Sequence, residues 1–199
     1  MTLAASFGPF GGRAWLDTAH QGPLPRAGAA ATAEAVEDKV APARIEDASF
    51  HALPGELKRR LGRVIGAPPE DVVLGNSTTY GLHLLARGLP LRAGDEVLFV
   101  AGEFPATVVP WLPLRDHGVR IRFVEPSTRP LAPDELAAAL TPRTRVFCCS
   151  WVFSFSGEAV DLDAWAACAV NGGSRSSSTA PRGSARSPST SAGCRSTRS

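Results

Sequence analysis

The sequence predicts an α/β fold, because short apolar segments alternate with segments of helical periodicity. The short segments are continuous apolar runs, which is typical of parallel strands buried on both faces. The chain has 199 residues, of which 44% are apolar, so it can bury a sizeable core. We therefore expect a parallel or mixed sheet with helices on both faces.

The N-terminal third is predicted to be mainly helical. An Ala-rich stretch from Leu24 to Val40 suits a surface helix, and PGELKRRLGRVIGA (54–67) repeats apolar residues at helical spacing. We expect an N-terminal segment over 1–25, followed by an incomplete domain over 26–170.

From residue 71 onward, strands and helices are predicted to alternate. The predicted strands are DVVLG (71–75), DEVLFVAG (95–102), VRIRFVE (119–125) and RTRVFCCSWV (143–152). The predicted helices are 78–89, 105–118 with internal prolines, 132–141 and 161–170.

The segment 171–199 has a different composition. It contains five Arg and no acid, so the overall charge of +2 leaves the first 170 residues near −3. A new apolar strand is due after the helix at 161–170, but the sequence reads SRSSST. The prediction is a disordered Ser/Arg-rich tail that leaves the strand at 143–152 with an unpaired edge.

One explanation of this tail is translation out of frame. If the frame is moved one base upstream, each new codon takes its second and third bases from the first two bases of the printed codon. A TCN serine codon then becomes a codon that ends in TC, which encodes Phe, Leu, Ile or Val. Residues 174–178 then become mainly apolar, and an Asp-x-x-Gln sequence follows from Thr179. A genuine disordered linker, phosphorylated or RNA-binding, is the alternative.

Composition argues against several classes of protein. The mildly acidic body gives no signal for nucleic-acid binding, and no apolar run is long enough to span a membrane. A cytoplasmic location is the default expectation. Cys148, Cys149, Cys168 and Cys194 lack metal-ligand spacing, and the adjacent pair in a strand should point to opposite faces as core thiols.

The strongest site signal is the turn between the strand at 71–75 and the next helix. Unsatisfied N–H groups at a helix N-terminus favour an anion, and Ser77, Thr78 and Thr79 add hydroxyl groups. The stretch predicts a phosphate cradle, with an ordinary helix N-cap as the alternative.

Two further stretches follow strands whose carboxyl ends meet at the same edge. Phe104 could stack on a planar ring there or be an ordinary core residue. Ser150, Ser154 and Ser156 are candidates for polar contacts or simply turn residues.

These stretches together resemble class V of the pyridoxal-phosphate-dependent aminotransferases, a group that includes cysteine desulfurases and isopenicillin-N-epimerase-like proteins. The resemblance covers residues 13–170 in order. It rests on AWLDTAHQGPLP (14–25), NSTTYGLHLLARGLPLRAGDEVLF (76–99), EFPATVVPW (103–111) and TPRTRVFCCSWVFSFSGEAVDLDAW (141–165).

The resemblance implies the large-domain sheet of fold type I, a pyridoxal 5'-phosphate cofactor, an amino acid or small amine as substrate, and a homodimer. It implies that Ser77, Thr78 and Thr79 contact the phosphate and that Phe104 stacks on the ring. Ser154 falls where many members have an Asn, and His20 lies where relatives approach the substrate. The family's pyridinium-pairing Asp occurs only in the shifted frame.

The lysine that bonds covalently to the cofactor is missing. The sequence has only Lys39 and Lys58, both in predicted surface helices before the phosphate turn. One hypothesis is therefore an N-terminal, inactive part of such an enzyme. The other is a non-catalytic binding or dimerisation module with a basic tail.

Overall fold

The computed structural model describes residues 3–18, 20–128, 130–171 and 175–179, with side chains between 4 and 168. The chain groups into two compact units, one up to Val72 and one from Val73. The domain boundaries expected after residues 25 and 170 stay predictions. The predicted tail beyond 179 lies outside the described residues.

The first unit is helical. It contains 3-10 turns at Leu3–Ser6, Pro42–Arg44 and Pro69–Asp71, and the helices α1 (Arg26–Val40) and α2 (Ser49–Ile65). Helix α2 begins before the predicted start and includes Pro54, because turns from Glu46 onward already supply its first backbone bonds. It ends at Gly66, whose φ of 70° is the left-handed conformation that favours glycine.

One face of α2 is apolar and exposed. Large side chains recur every three or four residues along it and remain between 37% and 74% exposed, namely Phe50, Leu53, Leu57, Leu61 and Val64. On the polar face, Glu56 forms ion pairs with Arg59 and Arg60. No helix among the described residues is long and apolar enough to cross a membrane.

The second unit contains the sheet. Its helices are α3 (Thr78–Gly88), α4 (Pro105–Val108, continued by a 3-10 helix at Val109–His117), α5 (Pro133–Ala139) and α6 (Leu162–Asn171). Its strands are β1 (Glu96–Val100), β2 (Arg120–Val124), β3 (Thr144–Ser150) and β4 (Arg175–Thr179).

All neighbouring strands are parallel, in the order β2-β1-β3-β4. On one face, Val97, Phe99 and Cys148 pack with α3 and Trp111. On the other face, Leu98, Phe147 and Cys149 pack with α5 and α6. The predicted α/β class with helices on both faces is confirmed, and the two cysteines point to opposite faces as expected.

The strand predicted at 71–75 is not formed. Val72 is buried and has extended dihedral angles, but Val73 is 79% exposed. A strand requires a hydrogen-bonded neighbour, and none of the described residues pairs with this segment. Apolar composition alone was therefore misleading here.

The prediction of an unpaired edge at β3 is also wrong. Backbone 175–179 pairs with β3 in register from Val146 with Arg175 to Ser150 with Thr179. Ladder hydrogen bonds come from backbone groups, so a Ser-rich segment can form them despite its low strand propensity. The segment also follows α6, which is where a crossover connection places the next parallel strand.

A buried carboxylate stabilises the amino end of β1. Glu96 is 5% exposed, and its Oε2 accepts hydrogen bonds from Thr141 Oγ1 at 2.7 Å, Arg122 Nη1 at 2.9 Å and Thr144 Oγ1 at 3.3 Å. Burial raises the pKa of Glu96, but the hydrogen bonds from Thr141 and Arg122 outweigh it and the net pKa is lowered. The carboxylate thus joins β1 to β2 and to the loop before β3.

We predict that Glu96→Gln lowers the free energy of unfolding at neutral pH by about 2 kcal/mol, since it removes charge-assisted hydrogen bonds. Because the folded pKa is lowered, this contribution is present above the ordinary pKa of 4.5 and is lost as pH falls through the folded value. Urea titrations from pH 7 to pH 3 measure it. The exposed Glu125→Gln is the control, and a wild-type advantage that does not decrease between pH 7 and pH 3 would contradict the prediction.

Candidate functional site

The candidate site lies at the carboxyl edge of β1 and β3. Parallel strands end at one edge, so the residues after Val100 and Ser150 lie on the same side of the sheet. A short connection joins the end of α3 to the start of β1, so α3 runs antiparallel to the strand. Its 11 residues span about 16 Å, which returns its N-terminus to the same edge.

The N-terminus of α3 has the form expected of a helix cap. Ser77 is the N-cap residue, and its Oγ accepts a hydrogen bond from Tyr80 N–H at 3.1 Å. The first bond to a main-chain carbonyl runs from Gly81 N–H to Ser77 O, so the N–H groups of Thr78 and Thr79 have no partner within the helix. Ser77 is thus occupied as a cap, while the two threonines keep donors that could face an anion.

The ring of Phe104 is accessible. Phe104 precedes α4 as its N-cap residue and is 46% exposed, so it is not a core residue. Its ring centroid lies 6.2 Å from that of Phe155, which is 75% exposed and follows β3. Since α3 and α4 are in contact, this aromatic pair and the start of α3 belong to one region of the second unit.

The three predicted serines have different environments. Ser154 is exposed in the turn after β3, so a contact with a ligand stays a prediction. Ser156 Oγ donates to Glu158 Oε2 at 2.8 Å. Ser150 is 7% exposed and bonds to Glu103, which makes it part of the framework of the site.

Glu103 is a buried acid that the sequence analysis missed. It is 8% exposed, and Ser150 donates to it twice at 2.7 Å, through N–H to Oε1 and through Oγ–H to Oε2. Phe104 N–H donates to Oε2 at 3.3 Å. Burial raises the pKa of Glu103, and the hydrogen bonds from Ser150 and Phe104 offset only part of the increase.

The described cysteines do not have the features of a nucleophile. Burial raises the pKa of the Cys149 thiol well above its ordinary value, and Cys148 and Glu103 add to the effect. Cys148 is also buried, and the partly buried Cys168 Sγ lies 3.4 Å from Pro133 O. No group of three potential metal ligands occurs among the described residues.

His20 and both lysines lie in the first unit, whereas the residues above lie in the second. His20 Nδ1 is 3.5 Å from Asp17 Oδ2, and both side chains are mostly exposed. Lys39 is in α1 and Lys58 is in α2. A role for His20 in substrate binding stays a prediction.

Two residues, Glu103 and Phe155, could have been inferred from the sequence. Glu103 is an acid directly after a buried apolar strand, beside an aromatic residue that was already a candidate. Phe155 is the one apolar residue of the short segment 154–158, whose other residues are Ser, Gly and Glu. Each residue differs in polarity from its neighbours in the sequence, and this difference is the signal that could have identified it.

Curated proteins with similar sequences include epimerases and desulfurases. Isopenicillin N epimerase of Streptomyces clavuligerus is 32% identical over 152 residues, covering 71% of this chain and 37% of the epimerase. A probable cysteine desulfurase of Ureaplasma parvum is 27% identical over 99 residues, covering 48% of this chain and 25% of that protein. The chain thus spans between 25% and 37% of the length of these relatives.

Solved structures with the same fold include C-DES. A C-DES mutant with Gly covalently linked to the PLP cofactor matches with a TM-score of 0.78 and 21% identity, over 91% of this chain and 49% of that one. The cysteine desulfurase CsdA of Escherichia coli matches with a TM-score of 0.67 and 22% identity, over 82% of this chain and 43% of that one.

The family model described as aminotransferase class-V matches residues 46–174. The matched range contains every element from α2 to α6, and with them the candidate site at the edge of the sheet. The chain therefore belongs to the class V aminotransferase family.

Proposed function

We propose that this chain forms the part of a class V enzyme that binds the phosphate and one ring face of pyridoxal 5'-phosphate, in a protein acting on an amino acid or small amine. The observation that carries the proposal is the contact of α3, whose first N–H groups have no partner within the helix, with α4, which begins directly after the exposed ring of Phe104. An anionic group and a planar ring are the two features that this edge is suited to bind.

The residues of the second unit fit this cofactor in two respects. The N–H groups and hydroxyls of Thr78 and Thr79 suit a phosphate, and Phe104 offers an exposed ring face. Three charge-assisted hydrogen bonds at about 1.5–3 kcal/mol each leave roughly 5 kcal/mol after ordering costs. This corresponds to a dissociation constant on the order of 0.1–1 mM. When bound, the cofactor supplies an electron sink for carbanion chemistry.

The site of this chain lacks one essential group. A covalent bond to the cofactor needs a partly desolvated lysine, and the sequence contains only Lys39 and Lys58, in α1 and α2. We propose that this chain alone does not catalyse turnover, and that the complete protein acts as a cytoplasmic homodimer. The reaction subtype is left open, because transamination, epimerisation and desulfuration differ in residues outside these elements.

We also propose that 174–199 is encoded out of frame. β1 and β3 are buried strands rich in Val, Phe, Leu and Cys, whereas β4 occupies the next position in the sheet with the sequence RSSST. The shifted frame replaces most of these residues with aliphatic ones. This supports the proposal that the shifted frame encodes an apolar core strand at this position, and not a Ser/Arg-rich binding tail.

The phosphate contact is tested with isosteric threonine variants. We expect the double substitution Thr78→Val and Thr79→Val to weaken binding of both pyridoxal 5'-phosphate and inorganic phosphate by about tenfold or more, through loss of two hydroxyl donors. Isothermal titration calorimetry measures both ligands. Thr32→Val in α1 is the control, since its hydroxyl bonds only to Gly28 O. Unchanged phosphate affinity in the double variant would contradict the proposal.

If Phe104 stacks on the cofactor ring, its removal should weaken binding of the cofactor but not of inorganic phosphate. Phe104→Ala should weaken binding of pyridoxal 5'-phosphate about fivefold to tenfold, because a stacking surface worth about 1 kcal/mol is lost, and should leave inorganic phosphate unaffected. Phe50→Ala, an exposed ring on α2, is the matched control. An equal loss for both ligands would show that Phe104 acts through the fold and not through the ring.

The reading frame is tested with nucleotide sequence. Resequencing genomic DNA around the codon for Gly173 and adding one base there should give a long open frame that encodes an apolar strand, Asp-x-x-Gln and a downstream lysine. A stop codon soon after that point in the added-base frame would instead favour a genuine Ser/Arg-rich tail.

A further inference from the structure

We infer that Glu103 is a positioning residue, which sets the place of Phe104 relative to the end of β3. This inference rests on the proposed function, since the ring of Phe104 is the surface on which the cofactor would stack. Three hydrogen bonds join Glu103 to Ser150 and Phe104, one residue on each side of the candidate site, and Thr107 in α4 is a further donor.

The hydrogen bonds around Phe104 fix its backbone on both sides. Its N–H donates to Glu103 Oε2 at 3.3 Å, and its C=O accepts from Thr107 N–H at 2.9 Å. Pro105, at the first position of α4, has a fixed φ, which further restricts the turn. The ring is therefore held at the site by its main chain, although it is itself 46% exposed.

On the other side of the Glu103 carboxylate lies Ser150, the last residue of β3. Ser150 donates both of its polar hydrogens to Glu103 at 2.7 Å, so the carboxylate connects the turn after β1 to the end of β3. Phe155, whose ring contacts that of Phe104, lies five residues beyond Ser150 in the same loop. Glu103 thus joins the two segments that carry the two rings.

A purely stabilising role is less consistent with the environment of Glu103. Its hydrogen-bond donors are the neutral groups of Ser150, Phe104 and Thr107, and burial raises its pKa. Because Glu103 has no cationic partner among these groups, the cost of burying its carboxylate opposes what its hydrogen bonds contribute to stability. Glu96, at the other end of β1, has Arg122 as a partner and a lowered pKa.

These two glutamates provide a matched test in the full 199-residue chain. In Glu103→Gln, an NH2 group that cannot accept a hydrogen bond replaces one of the two carboxylate oxygens. The side chain then cannot accept all three hydrogen bonds from Ser150 and Phe104. We expect it to weaken binding of pyridoxal 5'-phosphate about tenfold, the equivalent of one hydrogen bond, while the thermal midpoint at neutral pH is unchanged or raised. Glu96→Gln should lower the midpoint and leave the affinity of the folded protein unchanged.

A second measurement does not depend on cofactor binding. Amide hydrogen exchange followed by NMR should be about tenfold faster at Phe104 and Ser150 in Glu103→Gln, and unchanged at Leu98 within β1. Exchange that rises equally at all three amides, or at none of them, would overturn the inference. If wild type binds no cofactor, the proposed function fails, and the exchange rates still decide whether Glu103 positions Phe104.

Discussion

The burial of β1 determines the arrangement of the second unit. All five residues of Glu96–Val100 are buried, so the strand needs a neighbour on each edge and a helix layer on each face. The parallel strands β2 and β3 supply the edges, α3 and Trp111 cover one face, and α5 and α6 cover the other. A residue next to β1 can therefore meet solvent only beyond the ends of that strand, and the candidate site lies at one of these ends.

The sequence predicted those elements whose apolar pattern is local and continuous. The start of α3 at Thr78 and the strands β1 and β3 follow from runs of apolar residues next to capping or turn residues. The segment 71–75 shows the limit of this reasoning, because its apolar residues do not reveal whether a neighbouring strand is present. Glu103 shows a second limit: its polarity after an apolar strand marks it as a candidate, but its partner Ser150 lies 47 positions away and no local pattern identifies that bond.

Strand β4 separates two contributions that usually coincide. Its backbone pairs with β3 over five residues, as a parallel strand after α6 should. Its sequence, RSSST, contains none of the apolar residues that bury β1 and β3. Backbone hydrogen bonding gives a position in the sheet, whereas side-chain burial supplies most of the favourable free energy of a buried strand. The proposed shift in reading frame would therefore act on the second contribution, since the shifted sequence would supply the apolar side chains that RSSST lacks.

The two glutamates at the ends of β1 differ in the charge of their partners. Glu96 accepts from Arg122 and its pKa is lowered, so it stays ionised and stabilises the amino edge of the sheet. Glu103 accepts from neutral groups and its pKa is raised. The same side chain thus has different roles at the two ends of β1: Glu96 pairs with a cation within the framework of the sheet, whereas Glu103 accepts from neutral groups beside the candidate site.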